Sequence, residues 1–519
     1  MQRFDVAVVG GGHNGLVAAV VLAQAGRSVI VLEDKAVIGG ATRTERPFAK
    51  APNLGVSTGA YLFGLMQPEI LKELGVEVPW VRRDPHYFLP TTGSRYVLFG
   101  TDEEATRRQF IEFFSEADYR AHVALNEELA NLRDDIAPTW REIPLSVEAT
   151  AEKYVRPALR DVFVKLCRGS ISDYLSRFDF KSDLIRAMYA VTDAFTGTYG
   201  GFDTPGTGHN FLLHNMCRMP GSGGTWTIVR GGMGAVSQRL AARATELGAR
   251  IETGAKVARV EMTGGSVSGV ALVDGRVFSV GAVVINADPY RAREMVGAEH
   301  LAPGLSARLD AMAKDGSTFK VNLALSGLPK FTCLGAGAAD NRGQYGPTIH
   351  LLPDEDVVMR SLRDAHRDAA EGRLPEFPSM EWYIHTAVDT SLSDEHGHHN
   401  SALFVTWVPR VLANGDTWED QAEAYAKKLL AICDRFAPGT SDLVVDMFPL
   451  TPTGIERHFG ITRGHIHHID NAYAFDERVP HRLGAPGLYS ASAGTHPGGA
   501  VIGSAGYIAA KALLADMTG

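Results

Sequence analysis

The chain has 519 residues, 45% of them hydrophobic and 21% charged, and its 51 Lys and Arg against 60 Asp and Glu give a net charge of −9. That length exceeds a single core and predicts two or more domains, while the acidic balance and the lack of a basic run argue against nucleic acid as a partner. Four widely spaced cysteines, Cys167, Cys217, Cys333 and Cys433, with no C-x-x-C, speak against a dithiol redox centre or a zinc site and fit a reducing compartment.

The first element is a short apolar strand, Phe4 to Val9. Gly10, Gly12 and Gly15 follow at once as G-x-G-x-x-G, then a helix over Leu16 to Ala25, a stop at Gly26, and a second strand ending at Glu33. This is a complete βαβ unit, the context that makes the motif a dinucleotide site. Gly10 allows the tight turn, Gly12 lets bare N–H groups at a helix N-terminus approach a pyrophosphate, and Gly15 lets helix and strand pack closely. Glu33, 23 residues past Gly10, is placed to accept from ribose hydroxyls and would repel a 2′-phosphate. The strand begins too near Met1 for a secretory leader, and the longest apolar stretch, Leu16 to Ala25, is too short to span a bilayer. The expected location is the cytoplasm, which leaves room for peripheral membrane contact and for a homodimer.

Gly39 and Gly40 then allow a second close backbone approach, and Arg43 supplies a cation near the phosphates. Gln67 to Arg218 reads mostly as helices, an insertion between nucleotide-binding elements. The chain returns with Gly231, Gly232 and Gly234 before a helix over Ala235 to Glu246. Strands follow at Arg250 to Thr253, Val257 to Met262, Ser266 to Leu272 and Val277 to Ile285, with hairpin signals at Gly264-Gly265 and Asp274-Gly275. A second insertion, Arg291 to Pro480, is mixed: STFKVNLALSG and SALFVTWVPRVL look like strands, and Asp420 to Phe436 like a helix. The end is a strand at Leu488 to Ala491, a glycine-rich turn over Gly494 to Gly499, and a helix through Ile508 to Leu514.

VGGGHNGLVAAVVLAQAG, VIVLEDKAVIGGATRTE, VRGGMGAVSQRL and above all LYSASAGTHPGGAVIGSAGYIAA resemble the FAD-dependent phytoene desaturase and carotenoid isomerase family, within the amine-oxidase-like flavoprotein fold. The similarity spans nearly the whole chain. FKVNLAL, LTPTGIERHFGITRGHIHH and WYIHTAVDTSLSDEHGHHNSALFVTWVP look closer to the branch called pyridine nucleotide-disulfide oxidoreductase domain-containing protein 2. The resemblance implies an α/β fold: a Rossmann-type FAD-binding domain (1–66, 225–290 and 481–519) interleaved with an α+β substrate domain (67–224 and 291–480). It implies non-covalent FAD. Gly10, Gly12, His13, Asn14, Gly15, Glu33, Gly40, Ala41, Thr42 and Arg43 match the ADP-side contacts, and Val257 the strand residue whose backbone meets the adenine. Gly494, Val501 and Ile502, at the start of the last helix, match the flavin side, where a helix N-terminus stabilises the reduced ring.

The implied activity is an oxidoreductase working by hydride transfer at flavin N5. No second nucleotide motif supports NADPH as donor, so oxygen or a quinone is the expected electron acceptor, or the product itself in an isomerase. Three catalytic candidates stand out: Lys320 in the strand FKVN, which the resemblance places near N5 and whose other reading is an exposed strand face; Glu456, ordering the segment that packs on the flavin or serving a surface or cap role; and His496 in GTHPGG, either touching the flavin or anchoring the turn to backbone carbonyls. His465, His467 and His468 lack a matching carboxylate at helical spacing, so no metal is expected. The C-terminal turn carries no aromatic to cage an amine. That tilts the expectation toward an apolar, polyene, isoprenoid or fatty-acyl-like substrate that is desaturated, saturated or isomerised. Tyr199, Phe202, Trp226 or Trp382 would supply a cage from elsewhere. The alternatives are an amine or amino-acid oxidase releasing hydrogen peroxide, and a flavin-binding protein acting through a partner.

Overall fold

A computed structural model describes residues 2–335 and 343–518. Two seven-stranded sheets organise them. In the first, Gln2–Val9 runs parallel between Val29–Leu32 and Val277–Ile285, and Arg250–Glu252 extends the edge beyond Val29–Leu32. Val257–Thr263 and Ser266–Leu272 add an antiparallel meander, and Leu488–Ser490 joins parallel to the far end of Val277–Ile285. Strands from residues 2 to 490 thus share one sheet, so its closure depends on non-local pairing.

The helix His13–Gln24 explains its own composition. Every residue from Asn14 to Ala23 is buried, because it packs between the sheet and two other helices, Gly234–Glu246 and Ser504–Thr518. A helix apolar all round needs such a site. The last helix crosses it at Gly506, where a Cβ would stand 1.8 Å from the Asn14 carbonyl oxygen.

The second sheet orders its strands Val444–Leu450, Phe319–Leu325, His399–Thr406, Ser379–Ile384, Thr348–Leu351, Tyr87–Pro90 and Tyr96–Phe99. The last two come from the stretch that the sequence reads as mostly helical; their apolar runs are only four residues long, too short for periodicity to identify them. All seven residues of Phe319–Leu325 are buried, yet its two faces differ. Phe319, Val321 and Leu323, with Met380, Trp382, Leu403 and Val405, pack on the helix Trp418–Phe436. Side chains alternate in a strand, so Lys320, Phe404, Glu381, Tyr383 and Thr348 occupy the opposite face and roof a cavity between the sheets. A short π-helical turn, Ala190–Ala194, closes the helix Asp183–Tyr189 and brings Asp193 to the same cavity. Such turns often mark functional positions.

Candidate active site

One cavity of about 650 Å³ runs from the first glycine loop to the second sheet. Its outer half is the cradle expected of a dinucleotide. Gly10 has φ +99°, and a Cβ at Gly15 would lie 2.2 Å from the Gly10 carbonyl oxygen, so the turn and the helix start are as tight as the motif requires. Gly12 caps the helix without a side-chain hydrogen bond, and the buried Asn14 Oδ1 has no partner among the described residues. The second glycine pair lies directly on this loop: Gly39 N donates to the Gly11 carbonyl at 2.8 Å.

Glu33 is buried, with Oε2 accepting from Gly11 N at 2.7 Å and Oε1 from Lys35 N at 2.8 Å. A carboxylate offers about four acceptor sites, so each oxygen keeps one for a ribose hydroxyl. Val257 and Ala258 continue the wall beside it. Arg43 lines the cavity with its guanidinium over the Phe459 ring at 5.2 Å and its Nε 3.2 Å from Glu45 Oε1. Its charge is therefore shared with an acid rather than reserved for the phosphates.

The inner half is a chamber of aromatic and ionisable groups. Lys320 is 4% exposed, and its Nζ sits 3.9 Å from the Tyr61 ring centre and 4.1 Å from that of Phe404. Among the described residues, Nζ has no hydrogen bond or ion pair. Burial pulls its pKa down to about 7, against a smaller upward pull from Glu381. Glu381 shows the opposite effect: burial pushes its carboxyl up to about 8, although it accepts a very short hydrogen bond from the Tyr383 hydroxyl. Asp193, which accepts from Asn215 Nδ2 at 2.9 Å, is raised by burial to about 7. Lysine and carboxyls are thus both held toward their uncharged forms, the inversion that marks acid–base sites.

The expected cofactor contacts divide. Gly10, Gly12, His13, Asn14, Glu33, Gly40, Ala41, Thr42, Arg43, Val257 and Val501 line the cavity, and Gly15 underlies it. Two expected flavin-side residues, Gly494 and Ile502, are not among the residues that line the cavity: a Cβ at Gly494 would meet Pro289 Cγ at 2.8 Å, and Ile502 joins the core of the helical insertion. The last helix begins only at Ser504 and contributes no lining residue; Ala500 and Val501, in the turn before it, take that place.

Lys320 alone of the catalytic candidates reaches the cavity. Glu456 points away from it, binding Arg410 Nη2 at 2.8 Å and Arg463 N at 2.9 Å. Of the two readings for His496 the contacts match the anchoring one, with Nε2 at 3.0 Å from the Thr139 carbonyl and its ring stacked on Phe475. His467 and His468 line the cavity, and His465 faces Asp470 at 4.0 Å.

Sequence reasoning missed Tyr61, Asp193, Thr348, Glu381, Tyr383 and Phe404, all lining the chamber. Of the four aromatics considered for a cage, only Trp226 is there, so the absence of aromatics from the C-terminal turn said little about the chamber. The available signal was the alternation in FKVN and MEWY, where Lys320, Glu381 and Tyr383 occupy every second position of otherwise apolar strands.

The family described as flavin-containing amine oxidoreductase matches residues 15–327. The rat protein named pyridine nucleotide-disulfide oxidoreductase domain-containing protein 2 is 31% identical over 99% of this chain and 94% of its own length. Hydroxyneurosporene desaturase of Cereibacter sphaeroides is 26% identical over 99% of this chain and 98% of its own length. Among solved structures, putrescine oxidase bound to putrescine overlays with a TM-score of 0.60 at 17% identity, covering all of both chains, a likeness of fold.

Proposed function

The chain belongs to the flavin-containing amine oxidoreductase family, with FAD as its cofactor, and from that premise we propose that it oxidises a C–H bond in a mainly hydrocarbon substrate of the isoprenoid, polyene or fatty-acyl class. Bound in the cradle, FAD supplies the hydride acceptor, the N5 atom of its ring. The glycine loop, Glu33 and Arg43 would hold its ADP portion, and Ala500 and Val501, which line the same cavity, would border the ring end.

The observation that carries this reading is the state of Lys320. Its amine is buried, unpaired and held over two ring faces. With a pKa near 7 it takes up or returns a proton at Nζ during turnover. Leu62, Phe404 and Ile466 keep water from it and offer an apolar wall to the substrate. The same residues serve desaturation, in which the hydride passes to the flavin and the proton to Nζ, or isomerisation, in which both return to the substrate.

A second reading, an amine or amino-acid oxidase, is favoured by the carboxyls of Asp193 and Glu381, which offer counter-charges to an ammonium. Against it, Lys320 itself occupies the Tyr61 and Phe404 faces that would cage such a group. The deciding experiment mixes the purified flavoprotein anaerobically with hydrocarbon-chain and amine panels and follows loss of the flavin colour, then measures peroxide in air. Bleaching by the hydrocarbon panel supports the proposal. Bleaching by amines alone, with peroxide release, overturns it in favour of the second reading. A protein that no compound bleaches favours the third reading, a flavin binder acting through a partner.

A further inference from the structure

The cross-strand register places Lys320 opposite Phe404, Phe404 opposite Glu381, and Glu381 opposite His350. These residues form one row on the cavity face of the second sheet. With strands about 4.8 Å apart, the lysine and glutamate backbones stand roughly 10 Å apart across the phenyl ring. Tyr383, two residues beyond Glu381 on the same face, donates to its Oε2. Thr196 Oγ1 lies 3.4 Å from Oε1. Behind this wall Arg83 is only 3% exposed. It donates from Nη1 to Thr348 Oγ1 at 2.8 Å and from Nε to the Trp226 carbonyl at 3.0 Å, and no carboxylate pairs with it among the described residues.

We propose that Glu381, supported by Tyr383, receives the oxygen of an uncharged carbonyl on the substrate, so that the substrate class is an isoprenoid or acyl chain carrying a carbonyl head. The proposal rests on the oxidoreductase reading above and narrows it. Three features exclude the other head groups. An ammonium finds the Tyr61 and Phe404 faces filled by Lys320 and meets the buried charge of Arg83 behind the wall. A carboxylate binds only while Asp193 and Glu381 both stay protonated, a condition that an uncharged carbonyl does not impose. A bare hydrocarbon gives the Glu381 carboxyl no partner beyond Tyr383 and Thr196, whereas a carbonyl oxygen adds an acceptor on its cavity side. Glu381 suits the role because burial holds its carboxyl up to about 8, and a protonated carboxyl donates a hydrogen bond where a carboxylate only accepts.

Three ten-carbon isoprenoid probes test this: myrcene, a hydrocarbon; geranial, an aldehyde; and geranylamine. Binding to the FAD-loaded protein is read anaerobically from the shift of the flavin absorption bands, and the hydrogen bond from the carbonyl stretch of bound geranial in the infrared. The expected result is geranial binding about tenfold more tightly than either other probe, with its carbonyl band lowered. Glu381→Gln, which keeps an N–H donor, retains most of the preference, and Glu381→Leu brings geranial to within about threefold of myrcene. Equal binding of myrcene, tighter binding of geranylamine, or a carbonyl band at its solution frequency overturns the proposal, and the band decides even if the leucine variant loses its FAD. If geranial binds best yet neither it nor any hydrocarbon-chain compound bleaches the flavin, the head-group assignment stands and the oxidoreductase reading falls.

Discussion

Lys320→Met removes a buried amine whose pKa is about 7 in the folded chain against 10.5 as its ordinary value. Because the folded value is the lower, the unfolded chain binds more protons between those two pH values, and the stability of the wild-type protein rises with pH across that interval. Near pH 7 the lysine costs about 4 kcal/mol of folding free energy at 1.36 kcal/mol per pH unit, and near pH 9.5 only about 1.5 kcal/mol remains. Methionine has a similar length, fills the gap between Tyr61 and Phe404, and does not titrate. The variant is therefore expected to be more stable than wild type near pH 7, with the advantage shrinking by more than half near pH 9.5. Denaturant unfolding of the FAD-loaded proteins at the two pH values measures this. The same variant should reduce its flavin roughly 10²- to 10⁴-fold more slowly, the usual worth of a placed proton acceptor. A pH-independent stability difference, or a methionine variant less stable than wild type at neutral pH, would refute the view that Lys320 is kept at the expense of stability for its chemistry.

Other outcomes follow from the same geometry. Flavin reduction should rise with pH as Lys320 loses its proton near 7 and fall as Glu381 loses its own near 8, giving a narrow bell whose apparent values belong to the pair; Lys320→Arg, which stays charged, should lose the rising limb in anaerobic stopped-flow traces. Glu33→Leu should weaken FAD binding by about 10- to 100-fold in a titration of the flavin-free protein, because it removes a charged acceptor for the ribose. Gly15→Ala should yield protein with little bound flavin by absorbance ratio, since the added methyl meets the Gly10 carbonyl at 2.2 Å. Glu456→Gln should leave the flavin-reduction rate within about twofold while costing about 1 kcal/mol on unfolding, as expected for a half-buried link to Arg410.

The cradle was legible in the sequence because its physics is local. Gly10, Gly12, Gly15 and Glu33 lie within one βαβ unit, where turn, helix start and strand end fix one another. The chamber was not, because its wall is a row across strands. Lys320, Phe404 and Glu381 are adjacent only through pairing between segments up to 84 residues apart, and no local pattern reports which face of a doubly buried strand meets a cavity. The C-terminal turn was legible in part. Val501 lines the cavity as its position suggested, and His496 takes the second of its two expected roles, holding the Thr139 carbonyl, whereas Gly494 is not a lining residue and Ala500, which carried no signal, is.

The interleaving of the chain has a consequence for how the protein matures. The cradle's walls come from residues as early as Val9 and as late as Val501, so a ribosome must pass Val501 before the pocket for FAD can close. Until then the helix His13–Gln24, apolar on every side, lacks the Ser504–Thr518 helix that covers it at Gly506. Newly made chains therefore pass through a long interval with that apolar surface open to misassociation. A cofactor that binds only the finished fold stabilises it by mass action, so the yield of folded protein is expected to fall when flavin is limiting during synthesis.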